Sequence, residues 1–321
     1  MNKKIKHLII TTAFILLVST TTTFIINDFE SAKITKMIND DDDEKTHISI
    51  IAHRGFSSLE IENSIEAIKL GFEDNSTTGV EIDIHLTKDK QIVAIHDNSI
   101  NNKQIKETTF EELQKETITI KNFNTDYIAS LFDNTSGNLI RERIKLIKNK
   151  KAKIPSLKEI LDLYKDYQNK ELIIEFKFEN NEEDFTEEFY KLISNYDYQN
   201  IIIQSNNYEA LTKMKETNPN FKYHLIIQKD NYDLINNLDL DGYVIRKNLV
   251  NYDDIKNLIE KNKQISVWTI NSYDEYKTVT NELKDLKTKV SYITNYPDAL
   301  KVWNDIIEKD KPTIKKYVKS Q

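Results

Sequence analysis

The sequence contains no cysteine, only five glycines and only four prolines among its 321 residues. Without cysteine the chain forms no disulfide, so cysteine usage carries no information about the redox compartment. With so few glycines, we expect asparagine and aspartate to occupy many turn positions. No glycine-rich phosphate loop follows the first predicted strand, which counts against a dinucleotide-binding sheet.

The chain also lacks an excess of positive charge, since its 45 lysines and arginines are outnumbered by 52 aspartates and glutamates, for a formal net charge of -7. No basic stripe with interleaved aromatic residues is present, so we expect no nucleic-acid partner. The length suits one large domain or two small ones, and either could bury a sizeable core.

Residues 1–26 begin with three lysines and continue with a long uncharged, mostly apolar run. As a helix, residues 8–26 would span about 28 Å, close to the ~30 Å hydrocarbon core of a bilayer. We predict a single-pass signal anchor that leaves the lysines inside and the catalytic domain outside the cytoplasm, at the cell membrane. A cleaved signal peptide, giving a secreted protein, is the alternative. The acidic residues 27–47 are predicted to form a solvated tether.

Three strings between residues 50 and 97 place charged groups within apolar, strand-like runs: IAHRG from residue 51, VEIDIH from residue 80 and IVAIHD from residue 92. A strand that is buried on both faces should be apolar. Burying carboxylates and imidazoles costs several kcal/mol unless a metal, a counter-charge or a substrate compensates them. Three such strings within about fifty residues indicate a functional site.

The spacing in the second string separates two faces of one strand. Side chains alternate with period two, so Glu81 and Asp83 share a face with His85, opposite the isoleucines between them. The acidic face could hold a hard divalent cation. The link to the third string is too short for a parallel crossover and predicts a hairpin. Its turn near Asp89 would place His96 opposite Glu81 or Ile82.

Strands and helices alternate along the chain, and after residue 155 they do so without interruption. The predicted strands cover residues 49–53, 80–86, 172–178, 201–204, 223–228, 242–245, 265–270 and 291–293. The predicted helices cover residues 64–72, 157–167, 184–196, 209–216, 232–238, 252–261, 272–283 and 297–307. Eight parallel strands with helices between them predict a (β/α)8 TIM barrel, in which functional groups gather at the carboxyl ends of the strands. An open doubly wound sheet is the alternative.

An ordered set of motifs resembles the glycerophosphodiester phosphodiesterase family, within the phospholipase C-like phosphodiesterase superfamily. The set comprises HRG at 53, ENS at 62, Glu81-x-Asp83, TKD at 87, HD at 96, IPSL at 154, EFK at 175, QS at 204, WTIN at 268 and ITNYP at 293. The resemblance covers about residues 48–305. Four positions depart from the family pattern: Ile61 replaces a proline, Ser64 a threonine, Lys90 a glycine and Asn295 an aspartate.

The residues and the resemblance together predict an active site. Glu81, Asp83 and Glu175 would bind one divalent cation, Ca²⁺ or Mg²⁺ rather than Zn²⁺, which favours histidine and cysteine. His53 and His96 would act as acid and base, because imidazole can serve as either near neutral pH. Which histidine takes which role stays open.

Three further residues are predicted to contact the substrate. Arg54 and Lys177 would bind the phosphate, since fixed cations stabilise the charge that develops on its oxygens. Trp268 would line the pocket over the glycerol or the headgroup, with plain core packing as its alternative role. Glu62 and Asn63 would orient the first loop.

The predicted domains are an anchor at 1–26, a tether at 27–47, a catalytic barrel at 48–310 and a basic tail at 311–321. Residues 98–153 would form an insertion in the barrel that either helps to enclose the substrate or is a plain surface excursion. The resemblance implies metal-dependent hydrolysis of a small glycerophosphodiester to glycerol 3-phosphate and an alcohol, through a cyclic phosphate. The alternatives are a phospholipase-type enzyme acting on intact lipid or a glycerophosphate polymer at the membrane surface, and a non-catalytic barrel used for binding.

Overall fold

A computed structural model of the chain describes residues 47–119, 134–237 and 239–318. The predicted membrane anchor, nearly all of the predicted tether and the last three residues lie outside these ranges. Among the helices that are described, none combines the length and apolar character needed to cross a bilayer.

Eight parallel strands form a closed barrel, which confirms the predicted fold and excludes the open sheet. The first strand, β1 (Ser49–His53), pairs with the last, β13 (Ser291–Thr294), on one side and with β2 (Gly79–Leu86) on the other, so the ring closes. The barrel strands are β1 (Ser49–His53), β2 (Gly79–Leu86), β8 (Glu171–Phe176), β9 (Ile201–Ser205), β10 (Lys222–Ile227), β11 (Gly242–Arg246), β12 (Gln264–Trp268) and β13 (Ser291–Thr294). The remaining described strands are β3 (Ile92–Ala94), β4 (Ser99–Ile100), β5 (Lys103–Gln104), β6 (Ile118–Thr119) and β7 (Lys151–Ala152).

Helices cover the outside of the barrel. The described α-helices are α1 (Ile65–Glu73), α2 (Phe110–Leu113), α3 (Asn134–Ile147), α4 (Leu157–Tyr164), α5 (Glu182–Ile193), α6 (Tyr208–Thr217), α7 (Tyr252–Glu260), α8 (Tyr273–Leu283) and α9 (Pro297–Val318). Between β10 and β11 the chain forms a 3₁₀ helix, Lys229–Asn236, where we predicted an α-helix at 232–238. Its backbone is interrupted by a non-helical Asn231, whose side chain accepts a hydrogen bond from Gln228 N and donates one to Ile226 O.

The predicted hairpin is present between β2 and β3. Ile84 pairs with Ala94, and Ile95 N donates to Asp83 O at 3.0 Å. Continuing this register places His96 beside Ile82, one of the two positions that we expected. The turn needs a left-handed residue, and Lys90 adopts φ 61° there.

The interior of the barrel changes character along its axis. A middle layer of apolar side chains comes from six strands: Ile51, Ile173, Ile202, Ile226, Val244 and Ile293. Below it, toward the amino ends of the strands, lie polar groups such as His224 and Gln264, which are hydrogen-bonded to each other. The predicted site residues lie above it, at the carboxyl ends of the strands. The residues between these inward positions pack outward against the helices in the main core.

The described parts of the predicted insertion pack over the β2–β3 hairpin. Strands β6 and β7 pair with each other and so bring residues 118–119 beside the end of the insertion. Ile105 and Leu113 are buried against Val93, Ile95 and Ile154. Helix α3 buries Ile140 in the main core. The insertion therefore has a core that is continuous with the domain.

Candidate active site

The structure brings all eight predicted site residues together at one end of the barrel. Six of them line a cavity of about 340 Å³: His53, Arg54, His96, Glu175, Lys177 and Trp268. The other two, Glu81 and Asp83, are almost fully buried beside Glu175. Five of them lie at or just after the carboxyl ends of parallel strands. Glu81 and Asp83 lie within the longer β2, where the strand register sets them beside His53 and Glu175. His96 returns to the same edge through the β2–β3 hairpin.

Local backbone geometry holds the loop after β1 in place. Gly55 has φ 78°, and a Cβ built on it would lie 2.4 Å from the carbonyl carbon of Ala67 in α1. Only glycine tolerates both the left-handed conformation and this approach. Ser64 accepts a hydrogen bond from Ala67 N and so caps α1.

Asn63, which we predicted to orient this loop, connects the loop to the acidic strand. Its amide nitrogen donates to Asp83 Oδ2 at 2.9 Å, and its oxygen accepts from Asp83 N at 3.0 Å. Asn63 is buried and has φ 57°, a conformation that asparagine adopts more readily than most residues. The two hydrogen bonds fix the carboxylate of Asp83 relative to the first loop.

Three carboxylates form a compact cluster. One oxygen from each of Glu81, Asp83 and Glu175 lies within 4.8 Å of the others. Burial and the neighbouring carboxylates raise the pKa of Glu81 well above its usual value. Burial also raises the pKa of Glu175 to about 7, with Lys177 opposing the shift. Glu81 Oε1 is buried and has no hydrogen-bond partner within the described ranges. Buried carboxylates in this state fit a bound cation.

Two positively charged side chains are in contact with this cluster. Lys177 Nζ lies 3.0 Å from Asp83 Oδ1 and also contacts Glu175, while Arg54 Nε lies 3.0 Å from Asp83 Oδ2. Burial alone would raise the pKa of Asp83, but these two cations outweigh it and hold that pKa well below its usual value. Asp83 is therefore ionised at neutral pH. Arg54 is also held by Glu62, whose two oxygens both lie 3.1 Å from its Nη1.

His53 is hydrogen-bonded to the residue that follows the neighbouring strand, β13. Its Nδ1 lies 2.7 Å from Asn295 Oδ1. The backbone of Asn295 is held in turn, because Asn295 N donates to Asn271 Oδ1 at 3.0 Å. Since the amide oxygen only accepts, Nδ1 carries the proton and Nε2 is left with its lone pair. Nε2 lies 3.9 Å from Glu81 Oε2. Burial lowers the pKa of His53 to about 3, so the ring is neutral.

His96 lines the same cavity and is more exposed. Its Nδ1 lies 2.9 Å from Asp97 Oδ1. Burial lowers the pKa of His96, with Asp83 opposing the shift. Its backbone carbonyl lies 3.2 Å from His85 Nε2, and His85 Nδ1 lies 2.9 Å from Glu179 Oε1. His85 therefore orients the segment that carries His96.

Trp268 lies at the boundary between the cavity and the apolar layer of the barrel. Its ring packs on that layer and also lines the cavity. Its Nε1 is buried without a hydrogen-bond partner among the described residues. An indole N–H in this state is available as a donor to a bound ligand.

Sequence reasoning assigned no role to Asn295, although the motif that contains it was singled out. The structure also places Asn206 and Gln228 in the wall of the cavity. Neither carries a charge, and only the alternation of inward positions along β10 could have indicated Gln228.

Comparison with known proteins agrees with this geometry. The model of the glycerophosphoryl diester phosphodiesterase family matches residues 53–298. The Bacillus subtilis protein YhdW is 27% identical over 267 residues, 78% of this chain and 96% of that protein. Human glycerophosphodiester phosphodiesterase 1 is 23% identical over 290 residues, 78% of each chain.

Solved structures share the fold. An Oleispira antarctica phosphodiesterase in complex with the product sn-glycerol-3-phosphate has a TM-score of 0.61 at 20% identity, covering 80% of this chain and 96% of that one. A Thermotoga maritima glycerophosphodiester phosphodiesterase has a TM-score of 0.57 at 20% identity, covering 79% and 96%. With the family model matching most of its length, the chain belongs to the glycerophosphoryl diester phosphodiesterase family, whose enzymes hydrolyse glycerophosphodiesters.

Proposed function

We propose that this enzyme cleaves a glycerophosphodiester to glycerol 3-phosphate and an alcohol, with two histidines as acid and base and one divalent cation as cofactor. The observation that carries the proposal is the convergence of His53, His96 and three carboxylates on one edge of the barrel. The complex of the Oleispira antarctica phosphodiesterase with sn-glycerol-3-phosphate supports the same substrate class.

Glu81, Asp83 and Glu175 would hold the cation. Their donor set consists of carboxylate oxygens, which suits Ca²⁺ or Mg²⁺, and the unpaired Glu81 Oε1 supplies a free ligand atom. When bound, the cation supplies Lewis-acid polarisation of the phosphate and a template for the substrate. Lys177 Nζ would have to release part of its contact with Asp83 and Glu175, and could then turn toward the phosphate.

The two histidines would move the protons. In the first step, the glycerol hydroxyl beside the phosphate attacks phosphorus while one imidazole takes its proton and the other protonates the leaving alcohol. Water then opens the cyclic phosphate with the two roles reversed. Asn295 fixes the Nδ1 tautomer of His53 and so presents Nε2 to the reacting groups. Asp97 beside His96 Nδ1 would stabilise that ring when it is charged.

Arg54, Lys177 and Trp268 would bind the remaining parts of the substrate. Arg54 and Lys177 lie at the edge of the carboxylate cluster and line the cavity, where they can meet the non-bridging phosphate oxygens. The Trp268 ring would cover the glycerol or the headgroup from the floor of the cavity.

The test is the release of glycerol 3-phosphate from glycerophosphocholine, with and without EDTA. We expect chelation to abolish activity and added Ca²⁺ or Mg²⁺ to restore it. His53→Ala and His96→Ala should each lose most activity. A p-nitrophenyl ester of glycerophosphate, whose leaving group needs no protonation, should partly rescue the variant that lacks the acid of the first step but not the one that lacks the base. Activity that survives both chelation and the two substitutions would refute the proposal.

We also propose that residues 1–26 anchor the enzyme in the cell membrane with the catalytic domain outside the cytoplasm. The support is the basic start followed by an uncharged, mostly apolar run. The full chain should fractionate with membranes and be cleaved by protease added to intact spheroplasts. A soluble, protease-protected enzyme would contradict this topology.

A further inference from the structure

Three large apolar side chains are exposed among the residues that the structure describes: Leu146 (61%), Val302 (41%) and Ile306 (42%). They lie on α3 and α9, two helices that are joined by an ion pair between Arg143 and Asp298. Leu146 and Val302 each follow their end of this ion pair by about one helical turn. Single exposed aliphatic side chains need no explanation, but three on two touching helices indicate an interaction surface.

The same part of α3 is strongly basic. Residues 141–153 contain seven lysines and arginines and one glutamate, in a chain whose net charge is -7. Lys145, Lys148 and Lys151 are exposed. Lys145 Nζ lies 2.7 Å from Glu142, but both side chains are 69% exposed, so this pair holds the lysine weakly. We call Lys145, Leu146, Lys148 and Lys151 the basic surface.

The basic surface lies on the solvent side of α3, at the active-site end of the barrel. Ile140 and Ile147 are buried at helical spacing on the opposite side of the helix. Ile144, on that inner side, lines a second cavity of about 640 Å³. Arg54 and His96 line both this cavity and the active site. A partner on the basic surface would therefore sit close to the mouth of the active site.

Helix α9 extends the apolar part of this region but adds no net positive charge. Between residues 297 and 309, Asp298, Asp305 and Glu308 outnumber Lys301 and Lys309. Attraction of an anionic partner therefore depends on α3, and its lysines are the residues to change in a test.

We propose that the basic surface docks on a bilayer that contains anionic lipids. Lysines that surround an exposed leucine are the pattern of a helix in the bilayer interface, where the ammonium groups meet lipid phosphates and the apolar side chain enters the acyl boundary. A surface for single-stranded nucleic acid would present aromatic side chains for stacking, whereas the exposed side chains here are aliphatic. The inference goes beyond the proposed function and does not require the proposed anchor at residues 1–26.

The absence of cysteine allows a clean measurement with one fluorescent label. Asn149 is exposed and lies three residues after Leu146, so Asn149→Cys carries the label while the basic surface stays intact. The labelled full-length protein is mixed with phosphatidylcholine vesicles that carry a lipid-bound quencher, with or without about one third phosphatidylglycerol. We expect strong quenching only with phosphatidylglycerol, and its loss at high salt, which screens the lysines.

A label on the far side of the barrel is the positional control. Lys213 is 66% exposed on α6, which follows β9, across the ring from β1 and β13. Lys213→Cys should show no added quenching with phosphatidylglycerol. Equal quenching of the labels at residues 149 and 213 would overturn the inference.

Charge reversal provides matched variants, each carrying the label at residue 149. A lysine near an anionic surface contributes about a fivefold factor, so Lys145→Glu/Lys148→Glu/Lys151→Glu should lower the ratio of docked to undocked protein at least about 100-fold. Leu146→Ser should lower it about fivefold or more. The control Lys158→Glu/Lys191→Glu/Lys213→Glu makes the same change of charge at exposed positions on α4, α5 and α6, and should lower it by about twofold at most. Equal losses in the two triple variants would overturn the inference.

The remaining outcomes separate this inference from the other proposals. None of these measurements involves hydrolysis, so their outcome does not depend on the proposed function. If the protein stays out of phosphatidylcholine vesicles, the anchor proposal fails, and recruitment by phosphatidylglycerol still supports the basic surface. If the protein inserts into both kinds of vesicle and the label at residue 149 is quenched equally in both, the basic surface inference fails. Binding of duplex DNA as tight as that of the vesicles, with no effect of Leu146→Ser on either, would identify a nucleic-acid site and also overturn it.

Discussion

The hydrogen bond between His53 and Asn295 predicts a specific loss of turnover when it is removed. The two side chains are 242 residues apart in sequence, yet His53 Nδ1 and Asn295 Oδ1 lie 2.7 Å apart. When His53 takes a proton it becomes an imidazolium, and a hydrogen bond to a charged group is worth about 1.5–3 kcal/mol. Asn295→Ala should therefore lower kcat by roughly ten- to 150-fold with little change in KM.

Replacement by aspartate gives the opposite electrostatic test. Asn295→Asp would keep an acceptor at Nδ1 and add a negative charge beside a ring whose pKa is lowered to about 3 by burial. A carboxylate favours the charged form of the ring, so the pKa of His53 must rise. If His53 is the base in the free enzyme, the acidic limb of kcat/KM then moves to higher pH, because the ring must be neutral to accept a proton.

The assay is steady-state release of glycerol 3-phosphate across pH at a fixed, saturating cation concentration. A bound cation would lower the pKa of His53 in wild type and variant alike, so the comparison isolates residue 295. Asn251→Ala serves as the control, because Asn251 caps α7 through Asp253 N and Asp254 N and does not line the cavity. That variant should lose about 1 kcal/mol of stability and retain its kcat. A kcat for Asn295→Ala within twofold of wild type would refute the reasoning.

Three further predictions concern stability and cation binding. Burial lowers the pKa of His224 to about 4, so the unfolded state binds more protons than the folded state between pH 4 and 6.5, and the free energy of unfolding falls as the pH falls through this window. His224→Gln should remove roughly 3 kcal/mol of that fall, measured by urea unfolding at pH 7 and pH 4.5. An unchanged dependence of stability on pH would contradict this. Gly55→Ala should lower the free energy of unfolding by at least about 2 kcal/mol, because the new Cβ would meet the backbone of Ala67. Gly71→Ala, whose Cβ would mainly meet side chains, should lower it much less. Equal melting temperatures for the two variants would contradict this. Lys177→Met should bind Ca²⁺ or Mg²⁺ at least tenfold more tightly in a calorimetric titration, since Lys177 Nζ no longer competes for Asp83 and Glu175. The same variant should lose about 100-fold or more in kcat, because a positive charge beside the phosphate is removed. Weaker cation binding would contradict this prediction.

Local periodicity accounts for much of what could be predicted from the sequence. The two-residue alternation in β2 predicted that Glu81 and Asp83 share the inward face while Ile82 and Ile84 pack outward, and both features are confirmed. The short link after Leu86 could only be a hairpin, and its register followed from the turn. Such features depend on neighbours within about ten residues, so a single chain reveals them.

One local pattern was misleading where the tertiary structure imposed another geometry. The segment before β11 has apolar residues at helical spacing, but Asn231 uses its side chain to bind the backbone of β10 and interrupts the helix. A side-chain contact with a distant element therefore decided how this helix is built.

The sequence by itself determined the residue types of the site, the strands that carry them and the face on which each lies. Only the tertiary structure decided which of them meet: the pairing of β2 with β8 brings Glu175 to the acidic pair, and the pairing of β1 with β13 brings Asn295 to His53. It also decided that Arg54 is shared between Glu62 and Asp83, and that a second cavity opens beside His96. The physical reason is the distance along the chain over which each effect acts. Backbone periodicity acts over a few residues, whereas closure of a barrel depends on the register of strands far apart in the chain.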